Sequence, residues 1–109
     1  MKCAYLRIST ITNEGGHGFN RQLDSITKIF GKDIKIFKEI ITGTAPFYDR
    51  PVFMEMLEFI KDNNITEFYI DTQDRLAREL SIQDQIIYLG IKENIDIITS
   101  SKMNLTDAY

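Results

Sequence analysis

An alternation of two kinds of segment constrains this chain most. Four short apolar runs are separated by three longer segments whose apolar residues recur at helical spacing. The runs are residues 2–8, around Tyr5, Leu6 and Ile8; residues 34–41, with Ile34, Ile36, Phe37, Ile40 and Ile41; residues 65–71; and residues 95–99. Between the first two, Phe19, Leu23, Ile26 and Phe30 form one amphipathic stripe. Phe53, Met56, Leu57 and Ile60 form a second. A third helical pattern runs from about Asp74 to Asn94, with Ile82, Ile86 and Leu89 on one line and Leu80, Ile87 and Ile91 beside it. Gly31 is placed to end the first helix and Pro51 to open the second. Strand and helix in strict alternation mean parallel βαβ units with right-handed crossovers. The expected fold is therefore α/β: a single domain with a mainly parallel four-stranded sheet flanked by helices. The polar end, Ser100 to Tyr109, is expected to be poorly ordered.

At 109 residues the chain can bury a core without staples. Its single Cys excludes a disulfide framework and any multi-Cys zinc site. No apolar run reaches the length of a membrane span, and the N-terminus lacks the apolar core of a signal peptide. These features describe a soluble, reduced, intracellular domain, expected in the cytoplasm and not at a membrane. A formal net charge of -3 argues against a stand-alone nucleic-acid binder with a basic face. Clustered Arg can still build a local phosphate site on an acidic protein.

The Arg positions are therefore informative. In a parallel sheet the loops after the first three strands share the carboxyl edge, where open α/β folds place their sites. Arg7 and Ser9, two apart near the end of the first strand, leave it on the same face. A guanidinium beside a hydroxyl suits a phosphate: Arg binds the oxygens, and Ser can attack the phosphorus. A Ser that starts a turn beside a solvated edge charge is the plainer reading. The third loop carries Asp74-Arg75-Leu76-Ala77-Arg78. Read as the start of a helix, it makes Arg75 and Arg78 neighbours on one turn, with Asp74 as cap. Two cations there oppose the helix dipole unless an anion binds, although an exposed charge cluster fits as well. Arg50 stands at the mouth of the second helix. Four of the five Arg thus belong to one sheet edge, whereas the eight Lys are scattered. That segregation predicts a phosphate-binding site.

Other chemistries find little support. There is no Walker A pattern, and Gly15-Gly16-His17-Gly18 is too short and too late in its loop for a dinucleotide fingerprint. His17 is the only His, so no His-metal cluster exists. Cys3 begins the first strand, away from the carboxyl edge, and reads as core.

Taken in order, Tyr5-x-Arg7-x-Ser9-Thr10, Arg21-Gln22, Thr42-Gly43-Thr44, Asp49-Arg50-Pro51-x-Phe53 and Asp74-Arg75-Leu76-Ala77-Arg78 resemble the catalytic domain of serine site-specific recombinases, the resolvase/invertase superfamily. The resemblance spans nearly the whole chain. It implies a flavodoxin-like topology and a DNA substrate. Ser9 would attack a phosphodiester, leaving a 5′-phosphoserine bond and a 3′-hydroxyl that later reverses the step. Because the covalent link conserves the bond energy, neither ATP nor a metal cofactor is implied. By the same resemblance Arg7, Arg75 and Arg78 would hold the scissile phosphate, and Arg50 matches another Arg of the family's site. Gln22 matches a Gln near the nucleophile, and Asp74 an Asp suited to proton transfer to the leaving oxygen.

The pattern departs in places. Glu39 stands where the family often has Asp, and Thr42 where Ser is common. The sequence stops at Tyr109, before the long helix through which family members form dimers and tetramers, and without a DNA-binding domain. The expectation is a truncated catalytic core, inactive in recombination by itself. A non-catalytic remnant or regulatory partner of an intact recombinase is the alternative. A flavodoxin-like phosphate or nucleotide binder unrelated to DNA is a third reading.

Overall fold

In the computed structural model residues 1–9 and 17–108 are described. Four strands form one fully parallel sheet in the order β2-β1-β3-β4. They are β1 (Cys3–Ile8), β2 (Lys35–Ile40), β3 (Glu67–Ile70) and β4 (Asp96–Thr99). The helices are α1 (His17–Phe30), α2 (Pro51–Asp62) and α3 (Leu80–Glu93). Every residue of β1 is buried, as expected of a strand covered on both faces. It pairs with β2 in an unbroken register from Cys3 opposite Lys35 to Ile8 opposite Ile40.

Side chains alternate across the sheet and divide the core in two. Ala4, Leu6 and Tyr69 pack on α1 through Ile26, Phe19, Leu23 and Phe30. Cys3, Tyr5, Phe37, Phe68 and Ile97 face the opposite way, against Phe53, Met56 and Ile60 of α2 and Ile82, Ile86 and Ile87 of α3. Phe30 stacks on Tyr69 with ring centroids 3.9 Å apart. Burial pushes the Cys3 thiol up to about 12, so it stays a neutral core group.

Gly31 closes α1 with a φ of +94°, and its N–H donates to the Thr27 carbonyl at 3.0 Å. A Cβ there would touch nothing within 4 Å, so the glycine serves only the backbone angle. Gly31→Ala should therefore cost about 1 kcal/mol of stability by urea denaturation, the strain of a left-handed alanine.

Three expectations are corrected. Helix α1 begins at His17, inside the stretch read as loop up to Asn20; residues 10–16 of that stretch lie outside the described residues. Helix α3 begins at Leu80, not near Asp74, because Glu79 is extended at φ -90° and ψ 138°. Ahead of it, Gln73–Arg75 form a single 3-10 turn. Arg75 and Arg78 are therefore not neighbours on a helical turn, and the helix-dipole argument for them lapses. Finally, residues 100–108 are ordered. Asn104 bridges Ile98 on the edge of β4, and a 3-10 turn over Leu105–Ala108 buries Leu105. The Thr106 hydroxyl donates to the Asp96 carboxylate at 2.8 Å. One apolar side chain and a few polar contacts hold this segment, a pattern that periodicity cannot register. No described helix is long and apolar enough to cross a membrane.

Candidate active site

All four strands point the same way, so Ile8, Ile40, Ile70 and Thr99 end on one edge, and the loops that follow meet there. Arg7 is the hub. Its side chain is buried at 4% exposure and runs beneath the loops. Nη1 donates to Ser9 Oγ at 3.2 Å and to the Ile41 carbonyl at 3.0 Å. Nε donates to the Arg75 carbonyl and Nη2 to the Asp74 carbonyl, both at 3.0 Å. One guanidinium thus joins the loops after β1, β2 and β3. Burial and then the Arg50 charge draw its pKa below the usual arginine value; Tyr5 opposes them, Arg75 adds a weaker lowering, and Asp74 opposes least. Ser9 itself is exposed.

Gln22 supports Arg7 from α1. The β1–β3 ladder pairs Ala4 with Tyr69; at Arg7 the buried Gln22 amide takes the place of a strand. Its Oε1 accepts from the Arg7 N–H at 3.2 Å, and its Nε2 donates to the Arg7 carbonyl at 3.1 Å and the Gly18 carbonyl at 3.0 Å. A buried backbone at a sheet end must be satisfied by something, and here a helix side chain does it.

Arg50 is the N-cap residue of α2 and has 0% exposure. Nε donates to the Ala45 carbonyl at 3.0 Å, and Nη1 makes a short hydrogen bond to the Leu76 carbonyl. Nη2 has no partner among the described residues. In this state Arg50 is therefore a buried tie between the second and third loops. Asp74 is exposed, and its carboxylate accepts from the Thr72 hydroxyl. Arg75 is half-buried and donates through Nη1 to the Arg7 carbonyl at 3.3 Å. Arg78 is exposed, with its backbone N–H donating to the Gly43 carbonyl at 2.9 Å. The structure thus brings Arg7, Ser9, Gln22, Asp74 and Arg75 into one bonded cluster, sets Arg50 under it, and holds Arg78 at its rim through backbone.

Gly43 makes the last contact possible. A Cβ on it would lie 2.5 Å from both the Arg78 Cβ and the Arg78 nitrogen. Gly43→Ala must therefore push the second and third loops apart. It should lower the midpoint of urea denaturation and slow any reaction at Ser9 at least tenfold, measured as single-turnover rate.

Tyr5 and Glu39 form a polar cluster beneath the edge that charge patterning alone does not pick out. The Tyr5 hydroxyl donates to Glu39 Oε1 at 2.7 Å. The same carboxylate accepts from the N–H groups of Val52 at 2.8 Å and Phe53 at 3.2 Å. Glu39 thus caps the start of α2 from a neighbouring strand. Burial and then the Glu39 bond raise the Tyr5 pKa, keeping it a donor. The available signal was the alternation of β2, which puts Glu39 on the same face as buried Phe37.

The family model for the resolvase N-terminal domain matches residues 2–109. The chain belongs to the resolvase N-terminal domain family. It is a catalytic domain of the site-specific recombinase class, whose enzymes cleave and rejoin DNA. Solved structures agree in fold. The N-terminal catalytic domain of TP901-1 integrase superposes with a TM-score of 0.74 at 24% identity, over 95% of this chain and 82% of that one. The C-terminal catalytic domain of ISC1926 TnpA, an IS607-like serine recombinase, gives 0.69 at 18% identity, over 90% of this chain and 68% of that one. Among curated proteins no match was found. The parallel sheet and flanking helices expected from the sequence are those of this resolvase domain, and its loops carry the cluster around Arg7.

Proposed function

We propose that Ser9 is the nucleophile of this recombinase domain and that it acts on a DNA phosphodiester. The observation that carries the reading is the 3.2 Å bond from Arg7 to the exposed Ser9 hydroxyl at the carboxyl edge. In the reaction Ser9 Oγ attacks the phosphorus, a serine–phosphate bond forms, and the bond to the 3′ oxygen breaks. The serine proton passes to the 3′ oxygen, leaving a 3′-hydroxyl and a 5′-phosphoserine link. The reverse attack rejoins a strand, so the count of phosphoester bonds never changes.

An N–H donor at Oγ favours the alkoxide form that a serine needs to become a nucleophile. Arg75 and Arg78 are assigned to the phosphate oxygens, where fixed cations stabilise the charge of the transition state. Asp74 is assigned the proton relay. Gln22 holds the backbone of Arg7. Arg50 meets a phosphate only if the Leu76 carbonyl moves off it; in the present state it supports the loop. DNA is the partner, and self-association into dimers and tetramers is the expected condition for strand exchange.

Trapping the adduct tests the reading. The native polypeptide is incubated with a plasmid carrying the DNA that borders its gene, quenched in denaturant, and digested. Mass spectrometry should find a nucleotide on the peptide containing Ser9. An adduct on another residue, or recombined plasmid with no adduct, would overturn the assignment.

A further inference from the structure

Between Asp74 and Ala77 four consecutive carbonyls each receive a side-chain donor. Arg7 Nη2 takes Asp74, Arg7 Nε takes Arg75, Arg50 Nη1 takes Leu76, and Gln83 Nε2 takes Ala77 at 2.8 Å. None of these donors lies within the segment. Backbone carbonyls that turn inward off any helix or sheet must find such partners, or the segment cannot hold its shape.

Gln83 differs from the other two donors. It sits in the first turn of α3, is buried at 5% exposure, and carries no charge. Its Oε1 also accepts from Gln73 Nε2 at 2.8 Å. A single amide therefore grips both ends of the stretch that contains Asp74, Arg75 and Leu76. A phosphate that drew Arg7 away would release the carbonyls of Asp74 and Arg75, and one that drew Arg50 away would release that of Leu76. A neutral amide feels no comparable charge attraction, so Gln83 keeps its hold when the arginines are recruited.

We infer that Gln83 is a positioning residue: it clasps residues 73–77 and thereby sets where Arg75 and Arg78 are presented. Its part in catalysis rests on the recombinase reading above, whereas the clasp itself does not. Gln83 touches no reacting atom. Its effect passes through the Ala77 carbonyl, immediately before Arg78, and through Gln73, two residues ahead of Arg75.

Two readouts test it. In native-state hydrogen exchange of the full chain, Gln83→Leu should speed exchange of the Leu76 and Arg78 amides about tenfold or more, with β1 amides unchanged. In the native polypeptide with the plasmid described above, the same variant should slow phosphoserine formation about tenfold while DNA affinity changes less than twofold. Gln73→Ala removes one arm of the clasp at an exposed residue. It should give a smaller loss of protection at the same two amides, and it decides the matter should Gln83→Leu fail to fold. Unchanged exchange at Leu76 and Arg78 overturns the clasp. Faster exchange with an unchanged rate of adduct formation overturns its catalytic part and leaves Ser9 as nucleophile. A wild-type protein that forms no adduct defeats the assignment of Ser9 as nucleophile, and exchange alone then decides the clasp.

Discussion

Ser9→Ala is expected to abolish covalent attachment to DNA, lowering cleavage by roughly 10⁴- to 10⁶-fold, the scale seen when a catalytic serine is removed. Ser9 is exposed, and among the described residues its hydroxyl is tied to Arg7. Losing it should shift stability by no more than about 0.5 kcal/mol. DNA binding should persist, since the arginines remain. The measurement pairs single-turnover adduct formation with a binding titration on the same preparation. Cleavage within tenfold of wild type would place the nucleophile elsewhere. No Arg variant tests the site so cleanly. Arg7→Ala frees three loop carbonyls, those of Ile41, Asp74 and Arg75, and so removes a phosphate ligand and the scaffold together. Arg50→Ala likewise frees the carbonyls of Ala45 and Leu76. Arg78→Ala is the better companion, because its hydrogen bond to the Gly43 carbonyl is made by backbone and survives the change.

The four parallel strands, the helices between them and the edge that carries the arginines follow from patterns with a period; the order β2-β1-β3-β4 does not. Phe19, Leu23, Ile26 and Phe30 could only be one helix face, and they do pack on one side of the sheet. What periodicity could not show is how side chains replace missing backbone partners. The segment from about Asp74 to Glu79 reads as helix because the apolar stripes of Ile82, Ile86 and Leu89 and of Leu80, Ile87 and Ile91 carry the helical pattern backward. Leu76 and Ala77 are indeed buried, but in a non-helical path whose carbonyls are taken by Arg7, Arg50 and Gln83. Those donors come from three different elements, far apart in sequence. Arg50 illustrates the same point. Its position at the mouth of α2 was legible, whereas its burial under Leu76 depends on where the third loop lies. Glu39 was read as a mild departure from a family pattern; the alternation of β2 put it on the inner face with Phe37, but its role as a cap depends on partners in Tyr5 and α2.

Glu39→Ala should be the most damaging single change to stability, about 3–5 kcal/mol, the cost of breaking a buried charged network from one side. Three donors lose their acceptor at once: the Tyr5 hydroxyl and the N–H groups of Val52 and Phe53. The methylenes of the side chain go too, leaving space beside Phe53 in the larger core. Electrostatics add to the loss. Glu39 and Arg50 both act on the Tyr5 hydroxyl, in opposite directions, so the carboxylate offsets a guanidinium that is itself fully buried. Without it, the positive charges of Arg50, Arg7 and Arg75 stand together with less compensation. Glu39→Gln should cost less, because an amide oxygen can still accept from the helix start while the counter-charge is lost. Tyr5→Phe should cost least, about 1 kcal/mol, since Glu39 keeps both backbone donors. Urea denaturation of the three variants should rank them in that order. A loss below about 1 kcal/mol for Glu39→Ala would mean that water replaces the cap, and that the start of α2 is more open than its burial implies. The consequence reaches the site because Arg50 is the residue on which α2 begins: a frayed first turn lets Arg50 withdraw from Leu76, and the loop bearing Arg75 and Arg78 loses one of the side-chain donors to its carbonyls. Glu39→Ala should therefore slow phosphoserine formation even at temperatures where the variant remains folded.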